Sequence, residues 1–563
     1  MAPPSEHSHP VLIRLDEGGT TAAPIRASGG VALNGARLAG NWDIGGTLSA
    51  RSGAVIDPGQ SLGRIRAKAI DWRGAQYRVE LGDAGQADRV DVTGASAADL
   101  AGTKVAASAL PGARVKLNRD YTVLTAQGGV TGRFAGLSWT GPSKLVKLLP
   151  VYGANHAALR LAVDRDAINR LPLTPNERET ARGAESVAGK NDLVDEVFLN
   201  GDVSAFNQLS GEIHPTSRAM MVASASMLTG IAQQRMRANL GAGQAPGQPM
   251  AALQGPEWME VQTASIQTVD VGAAPDASAL PSSSALPVWT QFVAGRQTLG
   301  SDGNAAQAVQ SLHGFFLGGD AGLGGGWRLG AAVGYTDGTV KVRDRDSRAD
   351  IETYSVAVYG GKAWDAGRGR LSLLLGAGHA WHDLDVTRNV SLGGGQRLTS
   401  SYDGKTAQAF VEAGYALPVG ERVAVEPFAG AAWLRQKTDG FRERGGDAAL
   451  RGDSERADVK TFTLGLRTAA TFEVNGSRAT LRASLGWRHA SGDTRPRTTM
   501  AFIQGNGAAF EIAGAPVADD AAVFGLGGEV ALGKNAALGV GYNGQVGDGN
   551  REHMGGVYLK VRF

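Results

Sequence analysis

The C-terminal stretch His553-Met554-Gly555-Gly556-Val557-Tyr558-Leu559-Lys560-Val561-Arg562-Phe563 decides the fold of this chain. As a β-strand it would carry Tyr558, Lys560 and Arg562 on one face, and on the other the apolar side chains of Val557, Leu559, Val561 and Phe563. Many similar segments precede it, and none is apolar on both faces. This pattern predicts an antiparallel transmembrane β-barrel with an apolar exterior and a polar lumen.

The region from Val288 onward contains twelve candidate strands, an even number that closes an antiparallel barrel with both termini on one side. We place them at residues 288–299, 308–318, 326–341, 350–364, 369–388, 402–418, 421–438, 455–473, 478–490, 518–532, 535–547 and 552–563. In Phe462-Thr463-Leu464-Gly465-Leu466-Arg467 the minority face is small or charged. A soluble barrel, which is apolar inside, would not show this pattern.

The connections between these strands alternate in length. Short turns at 420–421, 475–476 and 533–534 interleave with longer segments at about 342–350, 389–401, 439–454 and 491–517. Outer-membrane barrels have short periplasmic turns and longer external loops, and with the C-terminus on the periplasmic side all the long segments lie on the external side. Five tryptophans are candidates for the aromatic girdles at the two interfaces: Trp289, Trp364, Trp381, Trp433 and Trp487.

The composition limits which cellular compartment and which class of protein fit this chain. The chain of 563 residues has 81 glycines and a formal net charge of +2, which gives no support for nucleic-acid binding. It has no cysteine, which excludes disulfides and thiolate-bound zinc and suits passage through an oxidising periplasm. No apolar run is long enough for a transmembrane helix. Residues 1–10, expected to be disordered, do not resemble a secretory signal, so we expect a fragment or a misplaced start.

Residues 11–165 consist of short β-like runs punctuated by Gly and Asn, which is typical of the rungs of a β-solenoid. Longer segments, Ala69–Leu81, Asp88–Val92 and Tyr121–Leu124, are expected to cap the open edge of the stack. An unrelated small β-domain is the alternative.

Residues 173–240 have a helical pattern. Thr174-Pro175-Asn176-Glu177 predicts an N-cap with a capping box, and Ser204–Asn239 predicts a weakly amphipathic helix interrupted near Pro215. Residues 241–287, rich in Ala, Pro, Ser, Gly and Gln, predict a flexible tether before the barrel at 288–563.

Several ordered landmarks resemble the translocator domain of the type V (autotransporter) secretion family. They are Trp289–Arg296, Gly318-Gly319-Asp320, Phe410–Tyr415, Glu426-Pro427-Phe428, Ser484–His489 and Gly555–Phe563. Phe206–His214 is similar to the linker motif of that family, and Ala54–Gly63 and Tyr121–Ala126 are similar to the end of its passengers.

The resemblance implies a mainly β fold: a 12-stranded antiparallel barrel with an α-helix in the pore, preceded by a β-solenoid passenger end with an autochaperone region. It implies a pore helix at about 204–240 that contains Phe206, Leu209, Glu212 and Ile213. It also implies a C-terminal assembly strand, with Val557, Leu559, Val561 and Phe563, that the barrel-insertion machinery reads.

Inward-facing charges would make the lumen a hydrated surface, since a charged side chain is tolerated there but costs about 2–4 kcal/mol at mid-depth on the lipid face. The alternative for about half of them is pairing across strands that only fixes the barrel shape. The candidate lumen residues are Arg328, Glu412, Glu426, Arg467, Arg482, Arg488, Glu529, Lys560 and Arg562.

No catalytic, cofactor or metal site is predicted. His379 and His382 are three residues apart and would face opposite ways on a strand. Subtilisin-like motifs, known from some passengers of this family, are missing, so a protease passenger would lie before Met1. Some relatives cut themselves at an Asn in the linker helix. Here Gly230 lies at about that position and Asn239 is the only fallback, so self-cleavage is not expected.

The predicted function is an outer-membrane translocator of a Gram-negative bacterium that carries its N-terminal passenger to the cell surface. The expected partners are outer-membrane lipid, the insertion machinery, periplasmic chaperones and the chain's own passenger, with a monomeric barrel and no nucleic acid. The alternatives are a surface adhesin or virulence factor anchored by the barrel, and a small-solute porin. The tripeptide Arg451-Gly452-Asp453 in an external loop is most simply explained by chance.

Overall fold

The computed structural model describes residues 24–59, 61–240, 259–260, 288–419, 422–475, 477–531 and 536–561. The chain divides into two compact units. The first comprises Met1–Leu173, Ala181–Ala205 and Gln504–Ala508, and the second Thr174–Thr180, Phe206–Ile503 and Ala509–Phe563. Across the described ranges, no helix combines the length and apolar character needed to span a membrane.

The first unit is built on two parallel sheets. Its strands are β1 (Ile25–Ala27), β2 (Val31–Leu33), β3 (Arg37–Ala39), β4 (Trp42–Arg51), β5 (Val55–Asp57), β6 (Arg64–Arg73), β7 (Gln76–Leu81), β8 (Arg89–Val92), β9 (Ala98–Asp99), β10 (Lys104–Ala109), β11 (Asp120–Ala126), β12 (Val130–Thr131), β13 (Gly136–Trp139), β14 (Val146–Tyr152) and β15 (His156–Val163). β4, β6, β8 and β11 pair in parallel in one sheet, and β3, β5, β7, β10 and β13 in the other. Strands β3 to β8 alternate between the two sheets, and β9 pairs in parallel with β12 in a third, short sheet, which together is the geometry of a β-solenoid.

The cap of this stack differs from the sequence prediction. Residues 69–81, expected to cap the edge, lie inside the stack as the end of β6 and the whole of β7, one in each sheet, because the chain turns at Gly74 with a φ of +76°. The edge strand β11 is covered instead by the antiparallel hairpin of β14 and β15. Trp72, Leu48 and Tyr121 are fully buried between the sheets.

Five helices lie between the solenoid and the barrel strands in the described sequence, and two of them have clear caps. They are α1 (Arg165–Asn169), α2 (Pro175–Glu185), α3 (Asp192–Asn200), α4 (Ala205–Leu209) and α5 (Ile213–Leu240). The predicted capping box precedes α2: the Thr174 hydroxyl accepts a bond from the Glu177 N–H at 3.2 Å, and the Glu177 carboxylate accepts one from the Thr174 N–H at 2.8 Å. α3 ends at Gly201, which has a φ of +74°.

The second unit contains a closed barrel and a small outer sheet. The strands are β16 (Met259–Glu260), β17 (Val288–Leu299), β18 (Ala308–Gly324), β19 (Trp327–Val342), β20 (Ser347–Ala366), β21 (Gly369–Val390), β22 (Gln396–Val419), β23 (Val423–Thr438), β24 (Phe441–Arg442), β25 (Leu450–Gly452), β26 (Glu455–Val474), β27 (Ser477–Gly492), β28 (Arg497–Phe502), β29 (Phe510–Ala513), β30 (Asp520–Ala531), β31 (Ala536–Gly547) and β32 (Asn550–Val561).

Twelve antiparallel strands form the barrel, which confirms the predicted fold. They follow the order β17-β18-β19-β20-β21-β22-β23-β26-β27-β30-β31-β32, and β17 pairs with β32 to close the ring. β24, β25, β28 and β29, which belong to the two longest connections, form a separate antiparallel sheet.

The two faces of the barrel wall have opposite polarity. Large apolar side chains remain exposed on the outer face, among them Val333 at 52%, Leu464 at 46% and Leu485 at 64%. Polar side chains on the opposite face are buried, among them Gln310, Thr336, Thr353, Gln408 and Gln436. An exposed apolar band around a polar interior requires a lipid environment.

The strand ends alternate between short turns and longer loops, with one difference from prediction. The turns after β18 and β20 are two residues long, at 325–326 and 367–368. The connections at 343–346 and 391–395 are shorter than predicted because β20, β21 and β22 continue past the apolar band. Their outer halves stay paired in register and bury alternate residues, such as Ala349 and Leu398.

Candidate functional site

The helix α5 lies inside the barrel and begins later than predicted. A break at Gly211, with a φ of +68°, separates it from α4, so Phe206 and Leu209 lie on α4 and Ile213 is the first residue of α5. Pro215, the predicted interruption, sits in the first turn of α5, where backbone N–H groups have no partner within the helix and proline does no harm. The pore helix is therefore continuous over 28 residues.

One face of α5 packs on the barrel wall in a dry contact. Leu228, Ile231, Ala232, Met236 and Leu240 form a buried cluster with wall residues from β17 to β22. The wall residues are Val293, Phe316, Ala332, Ala357, Tyr359, Ala363, Leu374 and Phe410. This contact fixes the rotation of the helix about its own axis.

The opposite face of α5 borders a cavity of about 350 Å³. Its helix side carries small and polar residues, namely Val222, Ser226, Thr229, Gly230, Gln233 and Arg237. The wall from β22 to β32 contributes polar side chains, including Gln408, Glu412, Arg467, Ser484, Arg488, Asn543, Gln545 and Glu552, together with apolar ones such as Phe410, Phe428 and Phe524. The lining of the cavity is therefore mixed in polarity.

Four charged side chains, which we call the lumen network, tie the helix to the wall: Arg237, Glu412, Arg467 and Glu426. Nη1 of Arg237 donates to both carboxylate oxygens of Glu412, at 3.0 and 3.1 Å. Arg467 donates to the same two oxygens at 3.0 and 2.9 Å, and its guanidinium lies 3.5 Å from the ring centroid of Phe428. Glu426 is 3.6 Å from Arg467 and makes no hydrogen bond among the described residues. Glu412 is thus neutralised from the helix and from the wall at once.

A second buried group, which we call the external latch, holds the N-terminal end of α5: His214, Arg388 and Glu443. Arg388 donates to the two oxygens of Glu443 at 3.1 and 2.6 Å, and Nε2 of His214 lies 3.0 Å from the carboxylate. Burial alone would raise the pKa of Glu443, but Arg388 and the bond from His214 bring it down to about 2. The carboxylate is therefore ionised throughout the physiological range.

The latch also joins the helix to the outer sheet. The His214 ring stacks on Phe441 of β24 with a centroid separation of 3.6 Å, and Nδ1 of His214 lies 3.1 Å from the Tyr402 hydroxyl. Arg388 donates to the backbone carbonyl of Gln208 at 2.8 Å. Near the same helix end, Arg345 pairs with Glu212 at 3.3 Å.

The structure places six of the nine candidate lumen residues on the inner side of the wall. Glu412, Glu426 and Arg467 meet in the lumen network, whereas Arg328 pairs with Asp320 at 2.6 Å. Arg482 is buried and Arg488 lines the cavity. The side chains of Glu529, Lys560 and Arg562 lie outside the described residues, as do those of Val557, Leu559, Val561 and Phe563.

Backbone pairing is described for most of the terminal strand. Val557 pairs with Val540, Leu559 with Leu538, and Val561 with Ala536.

Sequence reasoning missed the helix-borne partners of both charged groups. α5 carries three arginines, Arg218, Arg235 and Arg237, in a sequence rich in Ala, Ser and Met, and such charges on a pore helix are a signal that could have been used. Nothing in the sequence links Arg388 to Glu443, because 55 residues separate them and the loop that carries Glu443 has its own fold.

The two histidines considered as metal ligands are separated by the strand. His382 points inward and bonds to the hydroxyls of Thr353 and Thr406 at 2.8 and 2.9 Å. His379 lies on the other face against Trp381, at a ring distance of 4.6 Å.

Comparison with known proteins points to one family. The family model for the autotransporter β-domain matches residues 288–543. Two extracellular serine proteases of Serratia marcescens are 28% and 27% identical to the chain over 586 residues, covering 94% of the chain and 52% of each relative. The chain therefore spans about half the length of these curated relatives.

Solved structures with similarity include two translocators. The translocator domain of the autotransporter NalP from Neisseria meningitidis is 19% identical, with 49% of this chain and 87% of that chain covered and a TM-score of 0.37. The transport unit of the autotransporter AIDA-I from Escherichia coli is 18% identical, with 49% and 90% covered and a TM-score of 0.38.

The family match covers strands β17 to β31, and the closed barrel has the apolar exterior that an outer membrane requires. Residues 288–543 therefore belong to the autotransporter β-domain family and form an outer-membrane barrel.

Proposed function

We propose that this barrel delivers the polypeptide upstream of α5 to the cell surface, and that α5 is the segment left in the pore once delivery is complete. The observation that carries the proposal is the position of α5. Its N-terminal end is held by the external latch among the long loops, and its C-terminal half is held by the lumen network. A chain that has passed through the pore would end in this arrangement.

The solenoid of the first unit, with its hairpin cap, is proposed as the end of the passenger. Parallel rungs need only their neighbours to fold, so a chain that emerges progressively can fold from the cap onward. We propose that the hairpin of β14 and β15 supplies that starting edge, which would be the autochaperone role of this region.

The activity of the whole protein is proposed from its relatives. Because the named relatives are extracellular serine proteases, we infer that the whole passenger is a secreted serine protease. The barrel and the solenoid would then be non-catalytic, and α5, with Gly230 facing the cavity, would not cut itself. The proposed helpers are periplasmic chaperones and the insertion machinery that recognises β32, and the barrel would act as a monomer in outer-membrane lipid.

Surface labelling tests the direction of transport. A peptide tag in the exposed turn at 111–112 of the solenoid should bind antibody on intact cells, provided the chain is exported behind a secretory leader. A matched tag in the exposed short turn at 367–368 should bind only after the outer membrane is permeabilised. A hidden tag at 111–112, or an accessible one at 367–368, contradicts the proposal.

Bilayer conductance separates a translocator from a small-solute porin. Deletion of residues 213–240 removes the helix and should raise the single-channel conductance several-fold over that of the full chain. A full chain that already conducts like the deleted form would favour the porin.

A further inference from the structure

A group of cations lies on the outer wall of the barrel where the apolar band ends on three neighbouring strands. On β22, β23 and β26 the last outward apolar residues toward the long loops are Ala407, Trp433 and Phe462. The next outward positions carry Lys405, Arg435, Lys437, Arg456 and Lys460, which we call the basic strip. The strip therefore begins at the level where lipid tails give way to headgroups.

Strand register places three of these cations side by side. Lys405 pairs with Lys437, and Lys437 pairs with Arg456. All three side chains are exposed on the outer face. Like charges directly opposite each other on neighbouring strands destabilise a sheet, so the row gains stability when an anion lies over it.

Carboxylates on the protein balance only part of this charge. Arg435 is held by Asp458 at 2.9 Å, and Lys437 lies 3.5 Å from Asp439. Lys405 and Arg456 have no carboxylate within ion-pair distance among the described residues. The strip thus keeps cations that are available to a ligand.

The rest of the wall shows that the strip is a local feature. On β19, β20, β21 and β22 a register row contains only carboxylates, because Asp337 pairs with Glu352, Glu352 with Asp383, and Asp383 with Asp403. This acidic row ends at Asp403, the next outward residue to Lys405 on β22, so the attraction for an anion is confined to the strip itself.

Two tryptophans border the strip, one beside it in the same row and one on its membrane side. Trp381 lies opposite Lys405 in register, and its outward side chain is 42% exposed. Trp433 lies beneath Arg435, whose guanidinium is 5.2 Å from the indole centroid. Indole rings prefer the boundary between tails and headgroups, which places the cations among the headgroups themselves.

We propose that the basic strip binds the phosphate groups of a phosphorylated glycolipid in the outer leaflet. Lys405, Lys437 and Arg456 contact the phosphates, the exposed apolar band below contacts the acyl chains, and Trp381 and Trp433 lie at the sugar level. A headgroup bound there covers the seams between β22, β23 and β26.

The test uses the full chain, purified in detergent, and native mass spectrometry with three probes. The probes are a bisphosphorylated diglucosamine glycolipid, the same glycolipid without phosphates, and inorganic phosphate. The test variant is Lys405→Gln/Lys437→Gln/Arg456→Gln. The control variant, Lys341→Gln/Arg343→Gln/Arg348→Gln, removes the same charge from exposed positions nearer the tips of β19 and β20.

We expect the parent and the control variant to retain the bisphosphorylated lipid. The test variant should bind it roughly a hundred-fold more weakly, since each cation near a lipid surface contributes about five-fold. Equal retention of the lipid without phosphates, or equal loss in the control variant, overturns the proposal. Inorganic phosphate that displaces the lipid at millimolar concentration would show a free-phosphate site and overturn the lipid assignment.

Folding of each variant is checked by its heat-dependent shift on gels. If the triple variant fails to fold, the single variant Lys437→Gln replaces it, with an expected loss of about five-fold. No loss in a folded Lys437→Gln variant overturns the proposal in that case.

Discussion

Replacing Arg237 by methionine should loosen the pore helix without unfolding the barrel. Arg237 is the only residue of α5 that bonds to Glu412 among the described contacts, through one nitrogen shared by two oxygens. Methionine keeps the length and the helix propensity of the side chain and removes its charge. The substitution therefore tests the bond from the helix to the wall and little else.

The size of the effect of Arg237→Met on helix binding follows from the bonds that Glu412 keeps in the variant. Glu412 keeps both bonds from Arg467, so the change does not leave a buried carboxylate without a cation. The loss is that of a charged hydrogen bond, about 1.5–3 kcal/mol, rather than the 3–5 kcal/mol of a broken buried pair. The ratio of unplugged to plugged barrels should rise roughly ten- to a hundred-fold.

Single-channel recording in planar bilayers measures that ratio as the fraction of time spent above the conductance of the plugged barrel. Gln233→Met is the matched control, because Gln233 lines the same cavity from the same helix face. Combining Arg237→Met with Glu412→Gln gives a double-mutant cycle that isolates the coupling between the two residues. An Arg237→Met barrel that opens no more often than the Gln233→Met barrel refutes the reasoning.

Three further predictions concern other parts of the chain. Burial raises the pKa of Asp88 from 3.8 to about 7, so the native solenoid binds a proton that the unfolded chain releases. Its stability should fall as pH rises from about 4 to 7, by at most about 4 kcal/mol. Amide protection factors in β6 to β8, corrected for the intrinsic exchange rates, that are higher at pH 8 than at pH 5 would contradict this. Glu443→Gln leaves Arg388 buried without its carboxylate, at a cost of about 3–5 kcal/mol. The loop at 439–454 should therefore become accessible to trypsin, and unchanged cleavage would exclude a role of Glu443 in the external latch. Leu485→Arg puts a cation on the lipid face and should destabilise the barrel by about 2–4 kcal/mol, measured by urea titration in vesicles. Ser484 faces the cavity, so Ser484→Arg should not have this effect. Equal destabilisation by the two substitutions would contradict the assigned faces.

The barrel could be predicted from sequence because its signal is repeated. Each strand must place apolar side chains toward lipid at every second residue, so an error in the bounds of one strand does not change the predicted number of strands. The predicted ranges fail mainly at the outer ends, where β20 and β22 leave the apolar band. There the alternation has polar residues outside, as at Arg397, Thr399 and Ser401, and resembles a loop.

The charged groups of the lumen could be predicted only in part. Alternation tells which face a residue occupies, and this suggested Glu412 and Arg467. It does not predict how deep a separate helix lies in the barrel or how it is rotated about its axis. Both determine whether Arg237 can reach Glu412. The predicted start of α5 was wrong for a local reason. The prediction gave Pro215 more weight than Gly211, although only Gly211 has a positive φ.

The solenoid cap shows the same limit of sequence patterns. A stretch such as 69–81 is equally compatible with one long strand and with two strands joined at a turn. Parallel pairing of β6 with β4 and β8, and of β7 with β5 and β10, decides for two strands, and this pairing depends on residues outside the stretch.

The two charged groups of the pore act at opposite ends of one rigid element. From His214 to Arg237 the helix rises about 35 Å at 1.5 Å per residue, so the external latch and the lumen network cannot share a partner. Between them, one side of the helix packs on apolar wall residues and the other side borders the cavity. A chain held at both ends and weakly in between should loosen one end at a time. Loss of Arg237 should therefore give openings of intermediate conductance, with the N-terminal end of α5 still fixed, and full conductance should require loss of Glu443 as well. Full openings in the Arg237→Met barrel alone would mean that the external latch does not hold the helix.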